Sequence, residues 1–186
     1  MKISISILLL AITLPVASFA ATSLTNQPGS GTVDFLAVGR PSMLKIHGTG
    51  GGPEAKLQLD GAKLKGKITM DLNKLDTGIS LRTEHMKEKY LDVKAYPKSI
   101  LSLTDAAVDG DFSKTLSNGG EKTFRGKLSL HGKEKGVEGT YTAHDGVVKA
   151  KFPLTISDYG IDIPKYLGIT VADTVNVEVE IPLQKK

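Results

Sequence analysis

Apolar and polar residues alternate with a period of two along much of the chain. The clearest segment is residues 64–72. Its even positions are apolar residues or glycine, and its odd positions are Lys, Thr or Asp. Residues 124–131, 148–156 and 175–181 repeat the pattern. Such alternation predicts β-strands with one face in an interior and the other in water. Weaker strand candidates are residues 32–38, 43–48, 55–60, 99–108 and 136–143.

This pattern predicts an all-β protein. Strands that are apolar on one face only are typical of antiparallel sheets, and strands do not alternate with helices as they would in a parallel α/β fold. Gly66, Gly126 and Gly139 lie inside predicted strands, where glycine suits the bends that closing a sheet requires. We therefore expect an antiparallel β-barrel of about eight strands.

One segment departs from the alternation. Between Ile79 and Tyr96 the apolar residues recur nearer to helical spacing, and Met86 and Tyr90, four residues apart, would share one helix face. Pro97 would end any helix. The sequence therefore predicts a short helical segment near residues 80–95, between strands and covering one end of the barrel.

The first 20 residues have the order of a secretory signal peptide. Lys2 is followed by an apolar run from Ile3 to Val16, and Ser18 and Ala20 are small residues ahead of a cleavage point. The run is shorter than the roughly 20 apolar residues that span a bilayer. We expect cleavage after Ala20, a periplasmic location (secretion being the alternative) and no stable membrane anchor thereafter. Residues 21–30 are predicted to be a flexible lead-in.

Composition limits the chemistry that the chain can carry. The 186 residues include no Cys, which excludes disulfides, thiolate metal sites and a cysteine nucleophile. The net charge of +4 is modest and the lysines are scattered along the predicted strands. A solvated outer face explains them better than nucleic-acid binding does.

No catalytic or metal motif stands out. His85 and Glu88 are three residues apart in the helical segment and would make half of a carboxylate–histidine site, but no second half is visible. His131 precedes Gly132 at a strand end, where a turn role is the simpler interpretation. We predict no metal, no cofactor other than a bound lipid, and no catalytic residue.

Two interiors are compatible with the strand pattern. An eight-stranded barrel holds one small or slender ligand if its side chains leave room, and an aliphatic lining would favour a lipid-like ligand through burial of apolar area. The alternative is a filled barrel that is packed as tightly as any protein core. Composition does not choose between them.

Short motifs along the chain resemble the YceI family. The densest group comprises Leu75-Asp76-Thr77-Gly78, Arg82, His85-Met86, Leu91-Asp92-Val93 and Tyr96-Pro97. Further matches are Val33-Asp34-Phe35, Leu128-Ser129-Leu130-His131-Gly132, Ser157-Asp158-Tyr159-Gly160-Ile161 and the Val-rich stretch from Asp173 to Glu180. They follow the family's order over nearly all of residues 31–184, which we take as the domain. Ile156 replaces the family's Arg before Ser-Asp-Phe-Gly, residues 133–136 replace its Val-Thr-Lys-Pro, and its His-Ser in the first strand pair is absent.

The resemblance implies an exported, lipocalin-like barrel with an apolar tunnel that binds a polyisoprenoid or another amphiphilic lipid. It implies a binding protein and not an enzyme. With the apolar strand faces turned inward, the predicted tunnel lining is Val33, Phe35, Leu64, Ile68, Met70, Met86, Tyr90, Leu91, Phe124, Leu128, Val148, Phe152, Tyr159, Val177 and Val179. Arg82 and His85 have two open roles: hydrogen bonds that hold turns together, or contact with the ligand's headgroup.

Three functional hypotheses follow. The first is a periplasmic carrier or store for a polyisoprenoid or similar lipid, and it is the one that the resemblance supports. The second is an enzyme that acts on a lipid-like substrate and uses His85 or His131 with a nearby carboxylate. The third is a filled-barrel stress or interaction protein without a ligand. The sequence sets neither the ligand's chain length nor the oligomeric state.

Overall fold

The protein is built mainly from antiparallel β-strands. The computed structural model describes residues 22–41, 44–60, 63–106, 108, 119–166 and 168–185. Nine long strands lie in this part of the chain: β2 (Thr32–Arg40), β3 (Lys45–Gly51), β4 (Glu54–Asp60), β5 (Lys63–Asp71), β7 (Lys98–Ala106), β8 (Gly119–Leu130), β9 (Lys133–His144), β10 (Val147–Thr155) and β13 (Thr174–Pro182). Five short strands accompany them: β1 (Thr22–Thr25), β6 (Leu75–Asp76), β11 (Lys165–Tyr166), β12 (Ile169–Val171) and β14 (Gln184–Lys185). The all-β prediction is confirmed.

The strands form one sheet that curls into a half-barrel. Its order is β11-β12-β2-β13-β10-β9-β8-β7-β5-β4-β1-β14, and β3 pairs with β2 outside this path. Two short strands bridge parts of the sheet that are distant in this order. β6, which follows β5, pairs with β3, and β1 pairs with β4 and with β14, which directly follows β13. The antiparallel, lipocalin-like architecture predicted from the sequence is thus confirmed.

The predicted flexible lead-in is ordered structure from Thr22 onward. Leu24 is completely buried in the core. The Asn26 side chain holds the following turn, since its Oδ1 accepts a hydrogen bond from the Ala55 amide and its Nδ2 donates one to the Pro53 carbonyl, both at 2.7 Å. A strand with one apolar residue leaves almost no periodic signal, which is why the pattern missed it. The predicted signal peptide, residues 1–20, lies outside the described residues.

The predicted helical segment is present and short. Helix α1 (Ser80–His85) continues into a π-helical turn (Met86–Tyr90), in which the Leu91 amide donates to the Met86 carbonyl at 2.9 Å. The chain then leaves the helix at Asp92, whose φ is 42°. In the described part of the chain, no helix has the length and apolar content needed to cross a membrane.

A single carboxylate holds the turn that follows β10. The Asp173 side chain accepts hydrogen bonds from the Ser157 amide at 2.9 Å and from the Ser157 hydroxyl at 2.6 Å. These two bonds favour the ionised form and hold the pKa of Asp173 below its ordinary value. Asp173 thereby fixes the 3₁₀ turn Ile156–Tyr159 against the start of β13.

The lowered pKa of Asp173 predicts an acid-dependent loss of stability. A carboxyl whose folded pKa is depressed stabilises the fold at pH values above its ordinary pKa of about 4, and this contribution is lost as the pH falls through the folded pKa. The difference in Tm between wild type and Asp173→Asn should therefore be largest above about pH 5 and shrink towards pH 2. Thermal melts followed by circular dichroism across this range measure it.

The matched control is Asp162→Asn, because Asp162 is an exposed carboxyl in the neighbouring loop. This change should leave the melting curves close to wild type at every pH. A Tm difference for Asp173→Asn that does not vary with pH would contradict the assigned role of the carboxylate.

Candidate functional site: an apolar cavity in the half-barrel

The interior of the half-barrel is filled in one region and hollow in another. Ile68, Leu101 and Leu128 stand directly opposite one another on β5, β7 and β8, and all three line a cavity of about 630 Å³. The adjacent row on the same strands is Gly66, Leu103 and Gly126, and none of these lines it. Buried residues that fill the closed region are Leu24, Leu57, Leu64, Phe124, Tyr141 and Ala143.

A pair of aromatic rings marks the boundary between the two regions. Phe124 and Phe152 meet edge to face with their ring centroids 6.1 Å apart. Phe152 lines the cavity, whereas Phe124 lies on the filled side. The two rings therefore form part of the cavity floor, in the geometry that aromatic pairs prefer.

The opposite wall is formed by β2, β13 and β10. Phe35, Val177 and Phe152 stand directly opposite one another across these three strands, and each lines the cavity. Gly48 of β3 faces Phe35, and a Cβ at that position would collide with the Phe35 ring. Glycine at position 48 thus lets the ring lie flat against β3 and leaves the space beyond it empty.

The cavity has a mouth at α1 and at the tip of the β2–β3 hairpin. Ile79 and Leu81 are 53% and 58% exposed, yet both also line the cavity, as does the partly exposed Leu44. Side chains that contact both solvent and the cavity must lie at its opening. Large exposed apolar residues at one place on a surface mark a binding site more often than chance exposure does.

A compact network positions α1 at this mouth. Thr83 donates a hydrogen bond to the Asp76 carboxylate at 3.0 Å and accepts one from the Thr77 amide at 3.0 Å. The Gly78 amide also donates to Asp76, at 2.7 Å. These hydrogen bonds, with that of Gly78 the stronger influence, hold the pKa of Asp76 below its ordinary value, so the carboxylate is charged at neutral pH.

Arg82 is a charged residue of the cavity lining. Its Nη2 donates a hydrogen bond to the Thr77 carbonyl, and Thr77 is itself buried. Its Nε atom is buried and has no hydrogen-bond partner among the described residues. His85, one turn along α1, is exposed and lines the mouth. The polar residues of the lining are Thr77, Arg82, His85, Lys89, Ser99 and Lys165.

Most residues predicted to line a tunnel lie at this one cavity. The following predicted residues line it: Val33, Phe35, Ile68, Met70, Met86, Tyr90, Leu91, Leu128, Val148, Phe152, Val177, Val179, and the headgroup candidates Arg82 and His85. Their contact with a ligand remains a prediction.

Three predicted lining residues lie elsewhere. Leu64 and Phe124 have the inward parity, but they stand on the filled part of β5 and β8. Tyr159 is a buried residue of the 3₁₀ turn, and its hydroxyl has no hydrogen-bond partner in the described part of the chain. Burial raises the pKa of Tyr159 to about 12, with a smaller contribution from the charge of Asp158. Alternation predicts which face of the sheet a residue lies on, but not where along the strand the cavity begins. The prediction therefore included residues of the filled region.

Several lining residues were missed by the sequence analysis. Leu101, Leu130, Ala150, Leu154, Val175 and Ile181 continue the inward parity of their strands and line the cavity. A full application of the alternation would have found these six. Lys89 and Lys165 carry no periodic signal, because their place in the lining depends on how α1 and β11 pack.

The structure offers little support for a catalytic or metal centre. His131 does not line the cavity, and its Nδ1 lies 3.1 Å from the Tyr159 carbonyl oxygen. No Asp or Glu occurs among the lining residues that the structure describes. Within the described ranges, no group of three or more His, Asp or Glu side chains could hold a metal ion together.

The fold and the cavity define a hollow antiparallel half-barrel of the kind that encloses one small ligand. The sequence matches the YceI-like domain over residues 24–183, so the chain belongs to the YceI-like domain family. This confirms the resemblance seen in the motifs, and the match begins within β1. The domain bounds of residues 31–184 stay a prediction. Among curated proteins, no sequence matches this chain.

Two solved structures share the fold. A polyisoprenoid-binding domain from Saccharophagus degradans, implicated in plant cell wall breakdown, is similar with a TM-score of 0.64 and 12% identity, covering 89% of this chain and 99% of that one. BcnA from Burkholderia cenocepacia is similar with a TM-score of 0.63 and 19% identity, covering 83% of this chain and 96% of that one. At these identities the likeness establishes the fold.

Two alanines on neighbouring strands test where the interior is hollow. Ala150 of β10 lines the cavity, whereas Ala143 of β9 is buried in the filled region. Ala150→Phe should extend into empty space with little loss of stability and should reduce uptake of an apolar fluorescent probe. Ala143→Phe should overpack the core and cost about 1–3 kcal/mol of unfolding free energy. Chemical denaturation and probe titration measure both effects.

Equal destabilisation by the two substitutions would show that position 150 is as closely packed as position 143. Unchanged probe uptake by a folded Ala150→Phe variant would show that the probe binds outside this cavity.

Proposed function

We propose that this protein binds a polyisoprenoid or a similar amphiphilic lipid, with the apolar chain inside the half-barrel and the polar end at the mouth. The observation that carries the proposal is the cavity of about 630 Å³, whose lining is aliphatic and aromatic apart from a few polar residues. Its volume lies within the range of roughly 300–1,000 Å³ typical of small-molecule sites. The similarity to a polyisoprenoid-binding domain supports the same choice.

Burial of the chain supplies the binding energy. Each CH₂ group moved from water into an apolar interior contributes up to about 0.8 kcal/mol, and a factor of ten in affinity needs about 1.4 kcal/mol. A flexible chain loses conformational entropy on binding, which offsets part of this gain. Affinity should therefore rise with chain length until the cavity is full and then level off.

The other two hypotheses have less support. An enzyme that pairs a histidine with a carboxylate has less support, since His85 is the one histidine among the described lining residues and none of these residues is acidic. A completely filled barrel does not agree with the hollow region beside β10 and β13. A binding protein fits both observations, and its role would be transport or storage of the bound lipid.

We further propose that the protein is exported to the periplasm after cleavage behind Ala20. The order of charge, apolar run and small residues at the N-terminus supports this location. Cleavage there would leave β1, which begins at Thr22, complete. Mass spectrometry of the chain isolated from the exported fraction should find Ala21 at the N-terminus, and a retained Met1 would contradict export by cleavage.

The bound molecule can be identified directly. We expect organic extraction of protein purified from its native exported compartment, followed by mass spectrometry, to release one amphiphile in a stoichiometric amount. Protein that yields no lipid and takes up no isoprenoid afterwards would contradict the proposed function and would favour an interaction protein.

A charged group in the wall should abolish uptake. Leu128 is buried and lines the cavity. Leu128→Asp would place a carboxylate against the apolar chain, where it cannot be solvated, so titration with an isoprenoid should show no binding. The control is Thr142→Asp, which adds the same carboxylate on the outer face of β9 opposite Lys149 and should bind as wild type does. Retained uptake by a folded Leu128→Asp variant would exclude Leu128 from the site.

A further inference from the structure

The charges of the described residues that line the cavity are all of one sign. Among these residues the formally charged ones are Arg82, Lys89 and Lys165, and none is an aspartate or a glutamate. Arg82 and Lys89 come from α1 and its π-helical turn, and Lys165 comes from β11. Two separate elements of the fold therefore contribute positive charge to one apolar cavity.

None of these three cations pairs with a carboxylate of the described residues, and Lys89 Nζ lies over the Tyr90 ring, 5.6 Å from its centroid. In the described part of the chain, no salt bridge involves Arg82, Lys89 or Lys165. Lysines on the outer face of the sheet differ in this respect: Lys149 pairs with Glu180 at 2.8 Å. The carboxylate nearest to Arg82 in the sequence, Glu84, is exposed and is not among the described lining residues. Asp76, on β6 before α1, is engaged by the Gly78 amide and the Thr83 hydroxyl.

Arg82 has unused donors in a fixed orientation. Its Nη2 is anchored on the carbonyl of the buried Thr77, which restrains the guanidinium plane. Its Nε is shielded from solvent and donates to no described atom. A guanidinium carries five N–H donors and no acceptor, and its fork matches the paired oxygens of a carboxylate or a phosphate.

We propose that the mouth of the cavity selects a lipid with an anionic headgroup, a carboxylate or a phosphate, and that Arg82 is its principal contact. Lys89 and Lys165 add positive charge around the same opening. The proposal rests on the proposed function, because the apolar chain must occupy the cavity for the headgroup to reach Arg82. A neutral headgroup, such as an alcohol or a quinone, would leave these charges uncompensated.

Three ligands of one chain length test the charge preference. Farnesoic acid, farnesyl phosphate and farnesol share a chain and differ in the headgroup. Isothermal titration at about 50 mM and about 500 mM salt should show the wild type binding at least one anion tenfold or more tightly than the alcohol. The difference should narrow at the higher salt concentration, because partly exposed charges are screened. The anion that binds more tightly identifies the headgroup as carboxylate or phosphate.

Variants assign the preference to residues. Arg82→Gln should remove most of the difference in affinity between anion and alcohol, because it should weaken binding of the anions by a larger factor than binding of farnesol. The double variant Lys89→Gln with Lys165→Gln should reduce the difference in affinity between anion and alcohol. It leaves the hydrogen bond between Arg82 and Thr77 in place. The control is Lys94→Gln, since Lys94 is an exposed lysine outside the lining and its loss should change neither affinity.

The outcomes separate this proposal from the proposed function. If the acid, the phosphate and the alcohol bind equally, the headgroup proposal fails while lipid binding stands. If none of the three binds, the proposed function itself fails. If Arg82→Gln is folded and keeps the full preference for the anion, or if it weakens farnesol as much as the anions, Arg82 is not the headgroup contact. If Arg82→Gln does not fold, the double lysine variant provides the test. An unchanged preference of that variant for the anion over the alcohol would overturn the proposal.

Discussion

The main physical constraint on this structure is whether the inward-facing side chains are large enough to fill the space that the curled sheet encloses. Every strand turns alternate residues inward, so the volume of each inward row decides whether that level is solid or empty. On β5, β7 and β8, the row that contains Gly66, Leu103 and Gly126 lies outside the cavity, and the neighbouring row that contains Ile68, Leu101 and Leu128 lines it. Small and medium-sized residues on β10 and β13, such as Ala150 and Val179, do not fill the cavity that they line.

The position of the cavity mouth depends on polar contacts that are local in sequence. Asp76, Thr77 and Thr83 join β6 to α1 through short hydrogen bonds, and α1 then carries Arg82 and His85 to the opening. On the other side, Asp173 holds the turn that leads to Ile161. Both aspartates have lowered pKa values for the same reason, since each accepts a backbone amide and a hydroxyl hydrogen bond.

The combination of an apolar interior and a basic mouth explains why binding agrees with the structure better than catalysis does. The strands supply a surface without acids or bases for most of the cavity's extent, and the titratable groups of the lining are confined to α1, its π-helical turn and β11. Apart from Ser99 of β7, the described lining residues on the long strands are apolar.

The type of fold and the set of inward-facing residues could be predicted from local patterns along the chain. Alternation over segments such as 64–72 and 148–156 predicted the strands because burial on one face imposes a period of two, and motifs such as Asp76-Thr77-Gly78 identified the family. The sequence also indicated the helical segment and, through Arg82 and His85, the polar end of the site.

The extent of the cavity along the strands depends on long-range packing and could not be predicted from local patterns. Leu64 and Phe124 have the same parity as Ile68 and Leu128, yet they lie in solid core, because the register between strands sets which rows pack together. β1 likewise forms because it pairs with β4 and β14, which are distant from it in the sequence. The placement of Lys165 beside the cavity depends on β11 packing near the mouth, and no local pattern encodes such a long-range contact.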